Sequence, residues 1–211
     1  MENKIQVLLS VMNIKDEEEF DEIIKRNNIK SDVLAVNQVD SDLKLFNIED
    51  KRKRLHSYNE KGASISRNRL LEKANGDICI FADDDTQYVE NYEEIISNEY
   101  SKNPNADVII FFVENNNAKR EKNKKIGRKK MTILDIMKVR TYEITLKKET
   151  LLRIRKNNIQ FNSNFGPGGE FLKGEETIWL SELMKKGFKI YSVDKKIGIA
   201  ENQNSTWFTG Y

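Results

Sequence analysis

Ile78-Cys79-Ile80-Phe81-Ala82-Asp83-Asp84-Asp85 reads as a buried strand that runs into three consecutive aspartates. A short continuous apolar run of this kind suits a strand covered on both faces. Upstream, Ser64 is the expected cap of a helix reaching about Ala74, and Gly76 is its stop. Downstream, a helix is expected from about Glu90 to Lys102, ending before Pro104, and then a strand from Val108 to Val113. The same alternation precedes it. Ile5 to Met12 is an apolar run of strand length, and Asp16 to Arg26 starts acidic, ends basic and puts Phe20, Ile23 and Ile24 on one helical face. Asp32 to Val39 is a second strand and Arg54 to Asn59 a weaker third. Strands alternating with helices predict an α/β layer architecture with a largely parallel sheet.

The C-terminal part is less regular. Asn115 to Lys130 reads as a polar, basic loop, Tyr142 to Leu146 as a strand and Lys148 to Lys156 as a short helix. Asn162 to Gly174 is a glycine-rich loop, Glu175 to Lys186 a helix, and Phe188 to Val193 a last strand before a polar tail. With 211 residues, no internal repeat and no linker, one domain is expected.

Composition excludes several classes. A net charge of +2 on a chain that is 33% charged gives no global field for nucleic acid. The single cysteine, Cys79, cannot form an internal disulfide and reads as a core thiol. No signal-peptide pattern opens the chain and no apolar run reaches membrane-spanning length, which predicts a cytoplasmic protein. Eight of the twelve residues from Lys119 to Lys130 are basic, against one acid, Glu121. That run fits a solvated loop, or a peripheral contact with an anionic membrane or a phosphate-bearing acceptor. It lacks the aromatic residues that single-stranded nucleic acid would require.

The aspartate run carries the first chemical signal. Ligands of open α/β sheets bind beyond the carboxyl ends of the strands. In extended chain, Asp83 and Asp85 share a face while Asp84 points away. Hard cations such as Mg²⁺ or Mn²⁺ suit that oxygen-rich pair and complete their shell with phosphates and water. An acidic turn without a ligand is the plain structural alternative.

Lys61-Gly62-Ala63-Ser64-Ile65-Ser66-Arg67-Asn68, then Ala74-Asn75-Gly76-Asp77-Ile78, then Phe81-Ala82-Asp83-Asp84-Asp85 resembles the inverting family 2 glycosyltransferases of the GT-A fold. Gly174-Glu175-Glu176 before a helix looks like the family's motif for the catalytic base, and Ser205-Thr206-Trp207 like the closing segment of members that build capsular and other cell-surface polysaccharides. The resemblance implies a Rossmann-like, mostly parallel sheet flanked by helices. The donor half would reach about residue 113, followed by a smaller acceptor half. It implies a nucleotide-diphosphate sugar donor, UDP-linked, a glycan or lipid-linked acceptor, and Mn²⁺ or Mg²⁺.

Matched motif to motif, Asp83 would meet the ribose side, Asp85 with Asp83 would hold the metal, and Asp84 would complete the donor motif. Ser10, Met12 and Asn13 would line the nucleotide pocket. Lys61, Arg67 and the adjoining Asn68 would face the base or diphosphate. Asn37 and Gln38 stand where relatives often carry an acidic residue for uracil. Glu176 matches the base position, with Glu175 beside it. The histidine that related enzymes often carry near the C-terminus is missing, leaving Glu201, Asn202 or water to complete the metal shell. His56, the only histidine, is expected on a solvent-facing strand position. Two competing functions remain at this point: a metal-dependent nucleotidyl or phosphoryl transferase, and a nucleotide-sugar-binding domain without catalysis.

Overall fold

The computed structural model describes residues 3–115 and 129–201. Its strands are β1 (Ile5–Met12), β2 (Asp32–Gln38), β3 (Asn47–Glu49), β4 (Lys53–Tyr58), β5 (Ile78–Asp83), β6 (Thr86–Tyr88), β7 (Val108–Asn115), β8 (Lys129–Lys130), β9 (Ile144–Lys147) and β10 (Ile190–Ala200). Its helices are α1 (Glu17–Arg26), α2 (Ala63–Lys73), α3 (Tyr92–Lys102), α4 (Ile133–Ile136), α5 (Lys148–Lys156) and α6 (Glu175–Lys185). One sheet holds all the strands in the order β3-β4-β2-β1-β5-β9-β7-β10-β6, with β8 on β10. β4, β2, β1 and β5 run parallel, as do β7 and β10, and β9 is threaded antiparallel between β5 and β7.

The central strands are buried along almost their whole length and mostly apolar, because both faces are covered. On one face lie α1 and α3, contributing Phe20, Ile23, Tyr92, Ile96 and Tyr100. On the other lie α2, α4, α5 and α6, contributing Leu70, Ile136, Leu151, Trp179 and Leu183. Asp16 caps α1 by accepting from the Glu19 amide at 2.9 Å, as the acidic start of that helix requires. Cys79 is buried, and burial pushes its thiol up to about 12, so it is an inert core group. Among the described residues no helix is long and apolar enough to cross a membrane.

Four local expectations change. Ser64 does not cap α2: Gly62 occupies the cap, and the Ser64 hydroxyl donates instead to the Phe165 carbonyl at 2.7 Å. β3, β6 and β8 are two or three residues long, too short for a hydrophobic period to register. β3 pairs with β4 beside His56, whose side chain is only 14% exposed and lies 3.4 Å from Glu49, so it is not solvent-facing. The last strand continues past Val193 to Ala200, because shifts in its pairing with β7 between Ser192 and Gly198 take in the charged Asp194-Lys195-Lys196 without ending the strand.

Candidate active site

The parallel strands end together. Ser10 pairs with Asp83 across β1 and β5, and Met12 with Gln38 across β1 and β2, so both ends of the expected site reach one edge of the sheet. Ser10 is buried and its hydroxyl accepts from Ser66 of α2 at 2.9 Å. Asn37 is fully buried: its amide donates to the Ile14 carbonyl at 2.9 Å and to Ser57 at 3.1 Å, and its oxygen accepts the Ile14 amide at 3.0 Å. Those bonds pin the chain between β1 and α1. Gln38 is buried with neither amide atom bonded to protein.

Asp40, just past β2, was not among the residues singled out from the sequence. Its carboxylate accepts from Asn13 at 2.9 Å, its amide donates to the Asn13 side chain at 2.9 Å, and Lys61 lies 2.8 Å away. The hydrogen bonds from Lys61 and then Asn13 hold the Asp40 carboxyl below the usual carboxylate range. An open pocket of about 420 Å³ lies here, lined by Asp40, Asp42, Asn59 and Lys61 among others. β2 ends at Gln38, and Asp40 is the first acidic residue beyond it.

β5 ends at Asp83, and Asp84 and Asp85 form the turn into β6. Strand alternation therefore cannot sort Asp84 from Asp85. The turn is fixed through its backbone: the Asp84 carbonyl accepts from Arg26 at 3.0 Å and Asn27 at 2.9 Å, and the Asp85 carbonyl accepts the Glu201 amide at 3.2 Å. Glu201 thus sits beside the aspartates. Asn202, Ser205, Thr206 and Trp207 lie outside the described residues, as does the basic run up to Arg128.

Arg67 gathers the remaining carboxylates. Only 7% exposed, it lies 2.9 Å from Glu175, 3.8 Å from Glu176 and 3.8 Å from Asp83. Phe161 covers it, with the guanidinium 5.9 Å from the ring centre. The neighbouring Asn68 is occupied elsewhere, its amide bonded both ways to the Phe161 backbone at 2.9 and 2.8 Å. Burial pushes the Asp83 carboxyl up to about 7, reinforced by Asp85, Asp84 and Glu176 and opposed by Arg67. Burial and Glu176 likewise raise Glu175, against Arg67.

Glu175 and Glu176 open α6, where the helix dipole favours carboxylates. Their surroundings differ. Glu175 is 6% exposed and ion-paired, whereas Glu176 is 18% exposed and accepts from the Thr141 hydroxyl at 2.5 Å. The glycine-rich loop wraps this helix start. Gly166 has φ +93°, and a Cβ there would stand 2.9 Å from the Glu175 carboxyl carbon, so no side chain fits. The carbonyls of Phe165 and Pro167 tie the same loop to the start of α2 through Ser64 and Ala63.

The donor set suits a hard divalent cation. The aspartates offer only oxygen, and a carboxylate raised to about 7 by burial and like charges is one that a cation would relieve. Among the described residues no three His, Cys, Asp or Glu side chains are set to hold an ion by themselves, so an ion here would draw further ligands from substrate or water.

The model of glycosyl transferase family 2 matches residues 6–171, from β1 through the glycine-rich loop. The chain belongs to that family. A search of curated proteins returns no match. Among solved structures, S. aureus TarS residues 1–349 in complex with UDP-GlcNAc matches with a TM-score of 0.66 and 14% identity, over 98% of this chain and 61% of that one. The mannosyltransferase PcManGT from Pyrobaculum calidifontis, in complex with GDP-Man and Mn²⁺, matches at 0.59 and 12%, over 98% and 59%. The family 2 chain thus spans about three fifths of the length of these neighbours, and at such identities the likeness establishes the shared fold: a GT-A sheet flanked by helices.

Proposed function

We propose that this chain moves a sugar from a UDP-sugar to a hydroxyl of a glycan or lipid-linked acceptor, with inversion, in the synthesis of surface polysaccharide at the cytoplasmic side of the membrane. It acts as one domain, with the donor half up to about residue 113 and the acceptor half beyond it. The observation that carries this reading is the meeting of the Asp83-Asp84-Asp85 turn and the Glu175-Glu176 helix start on one buried arginine, Arg67. In an in-line displacement the acceptor's hydroxyl and the donor's diphosphate flank one anomeric carbon, so the base and the phosphate-binding group must border one place, as these two acidic elements do. The nucleotide sugars bound by the structural neighbours support the donor class.

Asp40, held by Asn13 and Lys61, is the acidic residue best placed to meet the base, in the role that the sequence reading gave to Asn37 and Gln38. Ser10, Met12 and Asn13 line the adjoining edge. Asp85 and Asp83 would hold Mn²⁺ or Mg²⁺, which when bound neutralises charge on the leaving diphosphate. Glu176 accepts the acceptor's proton as its oxygen bonds to the anomeric carbon and the bond to the diphosphate breaks. Thr141 occupies one oxygen of that carboxylate and orients it. Glu175 and Arg67 form the buried pair behind it.

Calorimetric titration with UDP tests the donor side. The expected result is binding that needs Mn²⁺ or Mg²⁺ and weakens about ten-fold or more in Asp85→Asn. Equal binding with and without the ion, or in the variant, contradicts the assignment.

A further inference from the structure

The described residues leave large apolar side chains exposed at several scattered places, but one short element concentrates them. In and just after α4, Ile133 is 52% exposed, Leu134 73% and Met137 65%. This helix is anchored, not frayed. Ile136 is fully buried, Met131 and Val139 on either side are buried, and α4 belongs to the core shared with α6. Asp135 accepts both the amide and the hydroxyl of Thr132 at 2.8 Å, closing the first turn. The three apolar side chains are therefore held outward by a fixed turn.

Charge identifies what they face. Lys129, Lys130 and Lys138 flank the helix and are exposed, with the Lys129 ammonium 2.6 Å from Asp135. From Lys119 to Arg140 the sequence holds ten basic residues and two acidic ones, a local charge of +8 in a chain whose total is +2. The rest of the protein is thus net −6, and an anionic surface attracts this stretch while repelling the remainder. A second copy docking through the same patch would bring two sets of these lysines together, which disfavours self-association there. Apolar side chains ringed by lysines suit a lipid bilayer with anionic headgroups, where the apolar groups enter the acyl boundary and the lysines remain among the headgroups.

We propose that Ile133, Leu134 and Met137, with Lys129, Lys130 and Lys138, form a docking surface for anionic membrane. Four residues beyond Met137, Thr141 bonds Glu176, so docking would bring the acceptor side of the site toward the bilayer. That last consequence rests on the proposed transfer function; the docking surface itself does not.

Co-sedimentation with vesicles tests it on the full chain. Binding is expected to phosphatidylcholine–phosphatidylglycerol vesicles and not to phosphatidylcholine alone, and to weaken as salt rises. Leu134→Ser with Met137→Ser should lower vesicle affinity about ten-fold or more, and Lys130→Glu with Lys138→Glu comparably. Both pairs should keep the native melting temperature and native calorimetric binding of UDP, which separates failure of docking from failure of the transfer reading. The proposal is overturned by native protein that ignores anionic vesicles. Vesicle binding unchanged by both pairs overturns it too, as does a dimer in solution that Leu134→Ser with Met137→Ser dissolves.

Discussion

Glu176→Gln is expected to transfer sugar at least about a hundred-fold more slowly than the native chain while binding the nucleotide sugar as before. The substitution keeps the shape of the side chain and an oxygen for the Thr141 hydroxyl, which bonds the carboxylate at 2.5 Å. It removes the ability to take a proton from the acceptor. Donor affinity should not follow, because the phosphates and base are assigned to other residues: Asp83, Asp85 and Asp40. The contrast with Glu175 is informative. Glu175 is 6% exposed with Arg67 at 2.9 Å, so its carboxylate is already engaged and should matter for folding more than for proton transfer. Steady-state kinetics with separate kcat and donor KM check this. A full-rate Glu176→Gln enzyme would remove the base from this position.

Arg67→Met should destabilise the fold by roughly 3–5 kcal/mol, because it leaves buried carboxylates without their cation. Glu175 loses its ion pair, and Asp83 and Glu176 lose the positive charge 3.8 Å away. The loss is specific to charge, so Arg67→Met combined with Glu175→Leu should recover much of it: removing both members of a buried pair costs far less than removing one. Urea unfolding at neutral pH reads both variants. An unchanged midpoint for Arg67→Met would mean that this arginine does not hold the two acidic elements together.

Much of the fold was legible because its long elements are apolar on both faces or strongly amphipathic. β1, β2, β5 and β7 announce themselves as apolar runs, and α1 carries its acidic cap, its basic end and its buried Phe20 and Ile23. Two- and three-residue strands such as β3 and β8 leave no such trace, since their pairing is set by neighbours far along the chain. The full length of β10 was hidden by charged residues at its irregularly paired middle.

At the site, the motif residues were readable but their partners were not. Nothing local says that Arg67 spans 108 positions to reach Glu175, or that Thr141 meets Glu176, because those contacts depend on α2 and the segment before β9 each meeting the start of α6. Asp40 was not singled out because the resemblance pointed to Asn37 and Gln38, and nothing local says that the Asn37 amide bonds the backbone of Ile14. The aspartate run was read as extended, whereas the strand stops at its first member.

The central claim is tested most directly by measuring UDP release from a panel of UDP-sugars by the purified chain with Mn²⁺ and candidate glycan acceptors. The account predicts release from at least one UDP-sugar that depends on the ion, rises with acceptor, and disappears in Glu176→Gln. Tight UDP-sugar binding with no release across the panel would contradict it, and would leave a nucleotide-sugar-binding domain in place of a transferase.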